Sequence, residues 1–387
     1  MRRIVIAPDS FKGSIAARDA ALALAEGWQS IRPDDALLLV PQADGGEGTL
    51  DAIAAARPDA RWSTAVVAGP TGEPHTARWL LLPGGQAVVE VAESCGITLL
   101  PRDASGTPLL APLTASTRGL GETIAAALDA GAEGVMIALG SSASTDGGLG
   151  ALAALGLQLR DAAGAPLPDG GGSLSALAAL DDSELRAAPP RGVTLLTDTT
   201  ARLTGTDGAA VMFGPQKGAT AADVALLDAA LVGAATLAGG SEHERPGSGA
   251  AGGTAWGFLR YWGASIRSGA ETVAVITGLD HALEGADLVI TGEGRFDATS
   301  LRGKVVGSVV ERAGAAGVDV AIVAGQADPV AAAERRVVTL TALARSSEAA
   351  IADPTPWLRD AGATLARTLE PEETRARANP SPSDTEV

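Results

Sequence analysis

Short runs of consecutive apolar residues alternate along the chain with glycine-rich polar segments and with stretches of helical period. Ile4-Val5-Ile6-Ala7 reads as a short strand apolar on both faces, followed by the loop Asp9 to Ser14, with Ser14 as a helix N-cap. Ile15 to Gln29 has helical spacing, with Leu22, Leu24 and Trp28 at apolar positions. Ala36 to Val40 is a second strand; it runs into Asp44-Gly45-Gly46-Glu47-Gly48-Thr49 and a helix ending near Arg57. Strand, glycine-rich loop, helix, twice over, predicts a parallel α/β sheet with its polar loops at the carboxyl ends of the strands.

The pattern then changes. Trp62 to Val67, Thr76 to Leu82 and Ala87 to Val91 are strand-like runs separated by Gly69-Pro70 and Pro83-Gly84-Gly85, which predicts an antiparallel meander. A helix is predicted from Thr117 to Ala130. Val135 to Leu139 is a strand entering Gly140 to Gly148, and Val193 to Leu196 one entering Thr197-Asp198. Ala221 to Leu237 is an Ala/Leu-rich helix. Leu288-Val289-Ile290 is a strand entering a loop from Thr291 to Lys304, and helix, strand, strand and helix follow to Thr368. The partition is α/β with two domains. Residues 1–70 and 280–370 form a parallel-sheet domain built from both chain ends, with 71–279 inserted. Residues 371–387, rich in Pro, Glu, Arg and Ser, predict a disordered tail.

Composition narrows the function. The 387 residues carry a formal net charge of −17, which opposes binding to a phosphate backbone and argues against a nucleic-acid partner. One cysteine, Cys95, allows no internal disulfide and reads as structural. The apolar run after Arg2-Arg3 is too short for a signal peptide, and no run reaches a membrane span. The expectation is a cytoplasmic protein with no membrane partner. Lysine is nearly absent: among 29 cationic residues only Lys12, Lys217 and Lys304 are lysine, and each lies in a glycine-rich segment. Under a bias toward arginine, lysine persists best where a compact ammonium is needed rather than a planar fork.

Candidate chemistry gathers in five polar segments after apparent strands: 9–14, 44–49, 140–148, 197–200 and 291–304. Glycine lets successive N–H groups face an anion, and a following helix adds positive dipole density. One such loop is an ordinary tight turn; five, each with Asp, Glu or Lys, point to a site. There is no Walker A spacing and no G-x-G-x-x-G after the first strand, and His75, His243 and His281 lie far apart. Phosphoryl transfer fits what remains. Lysines neutralise phosphate oxygens, carboxylates among Asp9, Asp44, Glu47, Asp146, Asp198, Glu293 and Asp297 hold Mg²⁺ or orient an acceptor hydroxyl, and each carboxylate alone is equally a cap or turn residue.

These segments resemble the type 1 glycerate kinase family. The matching blocks are Val5 to Ser14, Ala43 to Thr49, Phe213-Gly214-Pro215-Gln216-Lys217-Gly218-Ala219, Pro246 to Gly253, Ile290 to Asp297 and Ala324-Gly325. The resemblance implies a Rossmann-like domain with an inserted α/β domain. It also implies ATP- and Mg²⁺-dependent phosphorylation of D-glycerate, typically to 2-phosphoglycerate. Residue by residue, Lys12, Asp198 and Asp44 become the catalytic candidates. Asp9, Ser10, Arg295, Asp297, Lys217 and Lys304 become the substrate contacts, and Glu293 and Asp297 the Mg²⁺ ligands. Gly140, Ser141, Ser142, Thr145, Asp146, Gly147 and Gly148 would cradle the nucleotide. Two departures stand out: Thr145 precedes Asp146 where the family usually has Asn, and Asp198-Thr199-Thr200-Ala201-Arg202-Leu203 stands where it usually has Asp-Val-x-Asn-Pro-Leu, so that Ala201-Arg202 replace the Asn-Pro step. Alternatives are a kinase for another small hydroxy acid, a nucleotide-dependent oxidoreductase and a non-catalytic solute-binding protein; a homodimer is the oligomer considered.

Overall fold

The computed structural model describes residues 1–369 apart from Lys12 and Arg302. The expected tail at 371–387 lies outside the described residues. In chain order the strands are β1 (Arg3–Ile6), β2 (Ala36–Leu39), β3 (Arg61–Ala68), β4 (Pro74–Leu82), β5 (Gln86–Glu90), β6 (Gly134–Ala138), β7 (Gln158–Arg160), β8 (Ala179–Asp181), β9 (Val193–Leu196), β10 (Ser265–Arg267), β11 (Leu288–Phe296), β12 (Asp319–Ala327) and β13 (Arg336–Thr339). The chain divides into two compact units, 1–42 with 278–387, and 43–277.

The end unit, made from both chain termini, has a five-stranded sheet in the order β13-β12-β11-β1-β2, parallel throughout. Its central strands are buried on both faces, which is why they read as unbroken apolar runs. Ile4, Ile6, Leu288 and Ile290 pack with Leu24, Trp28 and Leu358 of helices Ala17–Gln29 and Thr355–Thr368, while Ile322 and Ala324 pack on the other side with Phe296 and Val306. The two helices touch backbone to backbone: a Cβ on Gly362 would collide with the Leu24 carbonyl. Asp35 ties the unit together by accepting from the Arg2 N–H at 2.9 Å, Trp28 Nε1 at 3.2 Å and Arg32 Nε at 3.0 Å. Ser14 does not cap the first helix. Ala16 stands at that position, and Ser14 belongs instead to a turn closed on Phe11.

The middle unit has a six-stranded sheet ordered β10-β9-β6-β5-β4-β3. β10, β9, β6 and β5 are parallel, and β4 and β3 add the antiparallel meander. Alternate residues serve opposite cores: Ala87, Val89, Val135 and Ile137 join the large cluster around Leu120, Leu149 and Trp256, while Val88 and Met136 face Leu50 and Ile53. This places residues 43–70 in the middle unit. The expected boundary near residue 70 falls inside the β3–β4 pairing, where Ala68 opposes Pro74, and the change of sheet comes at residue 42 instead.

Two further expectations are revised. β11 does not end at Ile290 but continues to Phe296, because Arg295 and Phe296 pair with Gln326 and Ala327 of β12; the loop begins only at Asp297. Helix Ala221–Ala238 does have the length and composition of a membrane span, with mean hydropathy 1.7, and is the one such helix among the described residues. It packs Leu227, Leu231 and Ala234 into the middle unit's core.

Candidate active site

In a parallel sheet the loops that follow the strands leave from one edge, and register decides which of them meet. In the middle unit one row of paired residues crosses four strands: Glu90 opposite Ala138, Ala138 opposite Leu196, and Leu196 opposite Arg267. Gly140 to Gly148, Thr197-Asp198 and Ser268-Gly269 therefore emerge side by side, although 50 to 179 positions separate them from Glu90 in sequence.

The Asp44 to Thr49 loop joins them. A Cβ on Gly140 would collide with the backbone of Gly46, so the two loops touch directly, and Ser141 Oγ donates to Glu47 Oε2 at 2.9 Å. Ser141 sits in the left-handed region at φ 55°, one of three non-glycine residues with positive φ among those described. Ala251 is another, and the segment it begins also packs on this loop, where the Gly147 N–H donates to the Gly252 carbonyl at 3.0 Å. Strain of this kind persists where the surrounding structure holds it.

Asp198 and Asp44 lie close enough for charge repulsion between them. Asp198 accepts the Gly269 N–H at 3.2 Å and the Ala270 N–H at 3.5 Å, at the start of helix Gly269–Thr277. Solvent reaches its side chain, yet desolvation by its surroundings raises its pKa. The Ser268 hydroxyl and the Ala270 N–H oppose that rise, and the Asp44 charge adds to it. Asp44 Oδ1 accepts the Gly46 N–H at 3.1 Å.

Much of the expected contact set is instead internal: Ser142, Thr145, Asp146, Gly147, Gly148 and Lys217 are all buried. Asp146 is 1% exposed; Oδ2 accepts both the Thr117 N–H and the Thr117 hydroxyl at 2.8 Å, and Oδ1 accepts the Gly148 N–H at 3.1 Å. It joins the starts of helices Arg118–Asp129 and Leu149–Ala154. Burial raises its pKa against those hydrogen bonds. Lys217 is 2% exposed beneath the loop, donating to Ser142 Oγ at 2.8 Å and to the Ser144 carbonyl. Thr145 is fully buried, and its hydroxyl, like that of Ser144, has no hydrogen-bond partner among the described residues.

Glu90 is the residue that sequence reasoning missed. At 4% exposure it ends β5 and accepts the Leu50 N–H at 2.5 Å and the Gly48 N–H at 3.3 Å, anchoring the Asp44 to Thr49 loop from below. Desolvation, with smaller contributions from Glu93 and Asp51, pushes its pKa up to about 8. The signal was visible as a lone carboxylate inside the apolar run Val88-Val89-Glu90-Val91. Cys95 is buried, and desolvation pushes its thiol up to about 12, so it stays a neutral packing group.

The end unit carries the other candidates. β1 leads to β2 on one side, while β11, β12 and β13 extend on the other, so strand order reverses between β1 and β11. That reversal opens a crevice at the carboxyl ends of the two strands. The Asp9 N–H donates to the Gly292 carbonyl at 2.8 Å there, and Asp9 Oδ1 accepts the Ser10 N–H at 2.7 Å. Glu293 and Arg295 project from the extended β11. Asp297 Oδ1 accepts the Thr299 N–H at 2.8 Å and its hydroxyl at 2.6 Å, and Arg295 Nε stands 3.8 Å from Oδ2. Those Thr299 hydrogen bonds hold the Asp297 carboxyl below the usual range, with Lys304 helping. Lys304 Nζ is 3.5 Å from Thr299 Oγ1, exposed at the start of helix Val305–Ala316. Lys12 lies outside the described residues.

The sequence profile of the glycerate kinase family matches residues 4–370. The chain belongs to the glycerate kinase family. It is 41% identical over 332 residues to a glycerate kinase of Bacillus subtilis (strain 168), covering 84% of this chain and 85% of that one. It is 40% identical over 312 residues to a glycerate 2-kinase of Escherichia coli (strain K12), covering 78% and 80%. A crystal structure assigned to glycerate kinase 2 of Salmonella typhimurium LT2 matches with a TM-score of 0.77 at 34% identity, covering 98% of this chain and 100% of that one. Membership makes the protein an ATP-dependent kinase with a mixed α/β fold and excludes the oxidoreductase alternative. Within a glycerate kinase, the loops gathered at the middle unit's sheet edge are suited to phosphoryl transfer: a glycine-rich backbone for phosphate oxygens beside a carboxylate pair for a hydroxyl.

Proposed function

We propose that this protein transfers the γ-phosphoryl group of ATP to a hydroxyl of D-glycerate, giving 2-phosphoglycerate. The observation that carries the reading is the convergence of the Gly140 to Gly148 loop with Asp198 and Asp44 at one sheet edge. Family membership supplies the reaction class, and relatives named glycerate kinase and glycerate 2-kinase favour this acceptor and this hydroxyl.

Asp198 is the base. Desolvation and the neighbouring Asp44 charge raise its proton affinity, which suits it to take the proton of an attacking hydroxyl. The glycerate oxygen then bonds to the γ-phosphorus as the bond to ADP breaks. The backbone at the Gly140-Ser141 start of the loop, where solvent reaches it, serves the phosphate oxygens; the N–H groups of Ala143, Gly147 and Gly148 are already taken by Cys95, Gly252 and Asp146. Taken by itself, the end unit offers Arg295, exposed on β11, and Lys12 for a carboxylate or phosphate, and Asp9, Ser10 and Lys304 for hydroxyls, as the family resemblance implies.

Mg²⁺ bound with ATP would supply positive charge to neutralise the phosphates. The described residues hold no cluster of three or more His, Cys, Asp or Glu side chains placed for a metal. An ion carried by phosphates needs only one or two carboxylates. Glu293 and Asp297 are the residues proposed for it, Asp297 through Oδ2, since Oδ1 is engaged by Thr299.

Purified protein with ATP, Mg²⁺ and D-glycerate should release ADP, and phosphorus NMR of the product should show the 2-phosphate. Absence of ADP release by folded protein overturns the reading. Faster turnover of another small hydroxy acid in a substrate panel would move the assignment to that acid.

A further inference from the structure

Lys217 is the least expected of the three lysines. It leaves the 3₁₀ turn Pro215–Lys217, which Gly218 closes at φ 91°, and its ammonium ends inside the middle unit. Nζ donates to Ser142 Oγ at 2.8 Å and to the Ser144 carbonyl, so it grips both ends of a three-residue stretch of the Gly140 to Gly148 loop. The charged and titratable groups near it are Asp146 and Cys95. Asp146 is itself occupied by Thr117 and Gly148, and Cys95 is a neutral thiol.

A lysine that served only to fill space would be displaced by an apolar chain of equal length, because burying an ammonium is costly. Desolvation has pushed this one down to about 8. A lysine that reached into solvent for a phosphate would be exposed, as Lys304 is. Lys217 is neither. Its donors go to the loop, and the loop begins at Ser141, whose strained backbone needs such support.

We propose that Lys217 is a positioning residue that fixes Ser142 and Ser144 from inside the protein and so holds the loop backbone in the shape that phosphate binding needs. This rests on the reading of the loop as the nucleotide cradle. The earlier expectation of Lys217 as a substrate contact gives way to a role one layer beneath.

Two measurements on the full chain test it. In steady-state kinetics, Lys217→Met should raise KM for ATP tenfold or more while KM for D-glycerate changes less than twofold. Ser142→Ala should give a smaller rise in KM for ATP, and the double variant should match Lys217→Met rather than multiply the losses, as expected for residues acting through one contact. A loss confined to the fraction of active protein, multiplicative losses, or a rise confined to KM for glycerate overturns the proposal. In hydrogen exchange of the ligand-free protein, Lys217→Met should speed exchange in residues 140–148 and leave the β5 and β9 amides unchanged. Unchanged loop exchange overturns it. Faster loop exchange in a protein with no kinase activity would uphold the internal strut and overturn the kinase reading alone. If Lys217→Met does not fold, Ser142→Ala carries both measurements, since it leaves the lysine in place and removes one of its contacts.

Discussion

The two units hold their polar loops by different means. In the middle unit two of the loops at the sheet edge rest on buried ionisable side chains: Glu90 under Gly48 and Leu50 of one, and Lys217 under Ser142 and Ser144 with Asp146 under Gly148 of the other. In the end unit the loop after β11 is held by short-range contacts near the surface, Asp297 to Thr299 and Lys304 to Thr299. Buried anchors are strong because their partners have no water to turn to, and they fix backbone geometry at the cost of desolvation. Surface contacts of the Asp297 kind are worth little and rearrange readily. The contrast sets firmly anchored loops in the middle unit against a more adjustable loop in the end unit.

The largest expected effect sharpens that contrast at the chemistry itself. Asp198→Asn should lower kcat by about 10³-fold, within the usual range for losing a general base, while the fold is kept. An unchanged kcat would pass the role of base to Asp44. Next is Asp146→Ala, which leaves the Thr117 and Gly148 donors buried without an acceptor. It should destabilise the middle unit by about 3 kcal/mol, read as faster exchange in helices Arg118–Asp129 and Leu149–Ala154. A change under about 1 kcal/mol would show that the buried anchors matter less than their geometry indicates.

A pH experiment separates Glu90 from the surface groups. Its carboxyl is raised in the folded protein from 4.5 to about 8. Between those values the unfolded chain has released the proton that the folded chain keeps, so stability falls as pH rises and levels off above 8. Glu90→Gln should remove that decline, flattening the urea midpoint of the middle unit between pH 5 and pH 8. An identical slope in the variant would locate the titration elsewhere. The smallest effect belongs to the end unit: Asp297→Ala should cost under about 1 kcal/mol of stability, read by the thermal midpoint. A loss as large as that of Asp146→Ala would erase the distinction between the units.

Much of this was legible in the sequence. The strands of the two larger sheets other than β10, the helices Ala221–Ala238 and Val305–Ala316 and the polar segments at 44–49, 140–148 and 197–198 follow from apolar period and residue placement. β11 was read too short because Thr291 to Arg295 looks like a loop by composition; only its partner β12 makes it a strand. Residues 43–70 were assigned to the wrong side of the division for a related reason. The antiparallel pairing of β3 with β4 is a long-range choice that no local pattern announces.

What the sequence determined by itself was the α/β class, the polar loops and the family, because period, glycine and motif spacing are local properties of a chain. Which carboxylates and lysines face outward was decided by the tertiary structure. Asp146, Asp198, Lys217 and Lys304 look alike in sequence, each a charge in a short polar segment. Packing places Asp146 and Lys217 in the interior, where desolvation commits them to backbone and hydroxyl partners, and leaves Asp198 and Lys304 open to solvent. Burial depends on what folds over a residue from elsewhere in the chain, and that separates anchor from reactant.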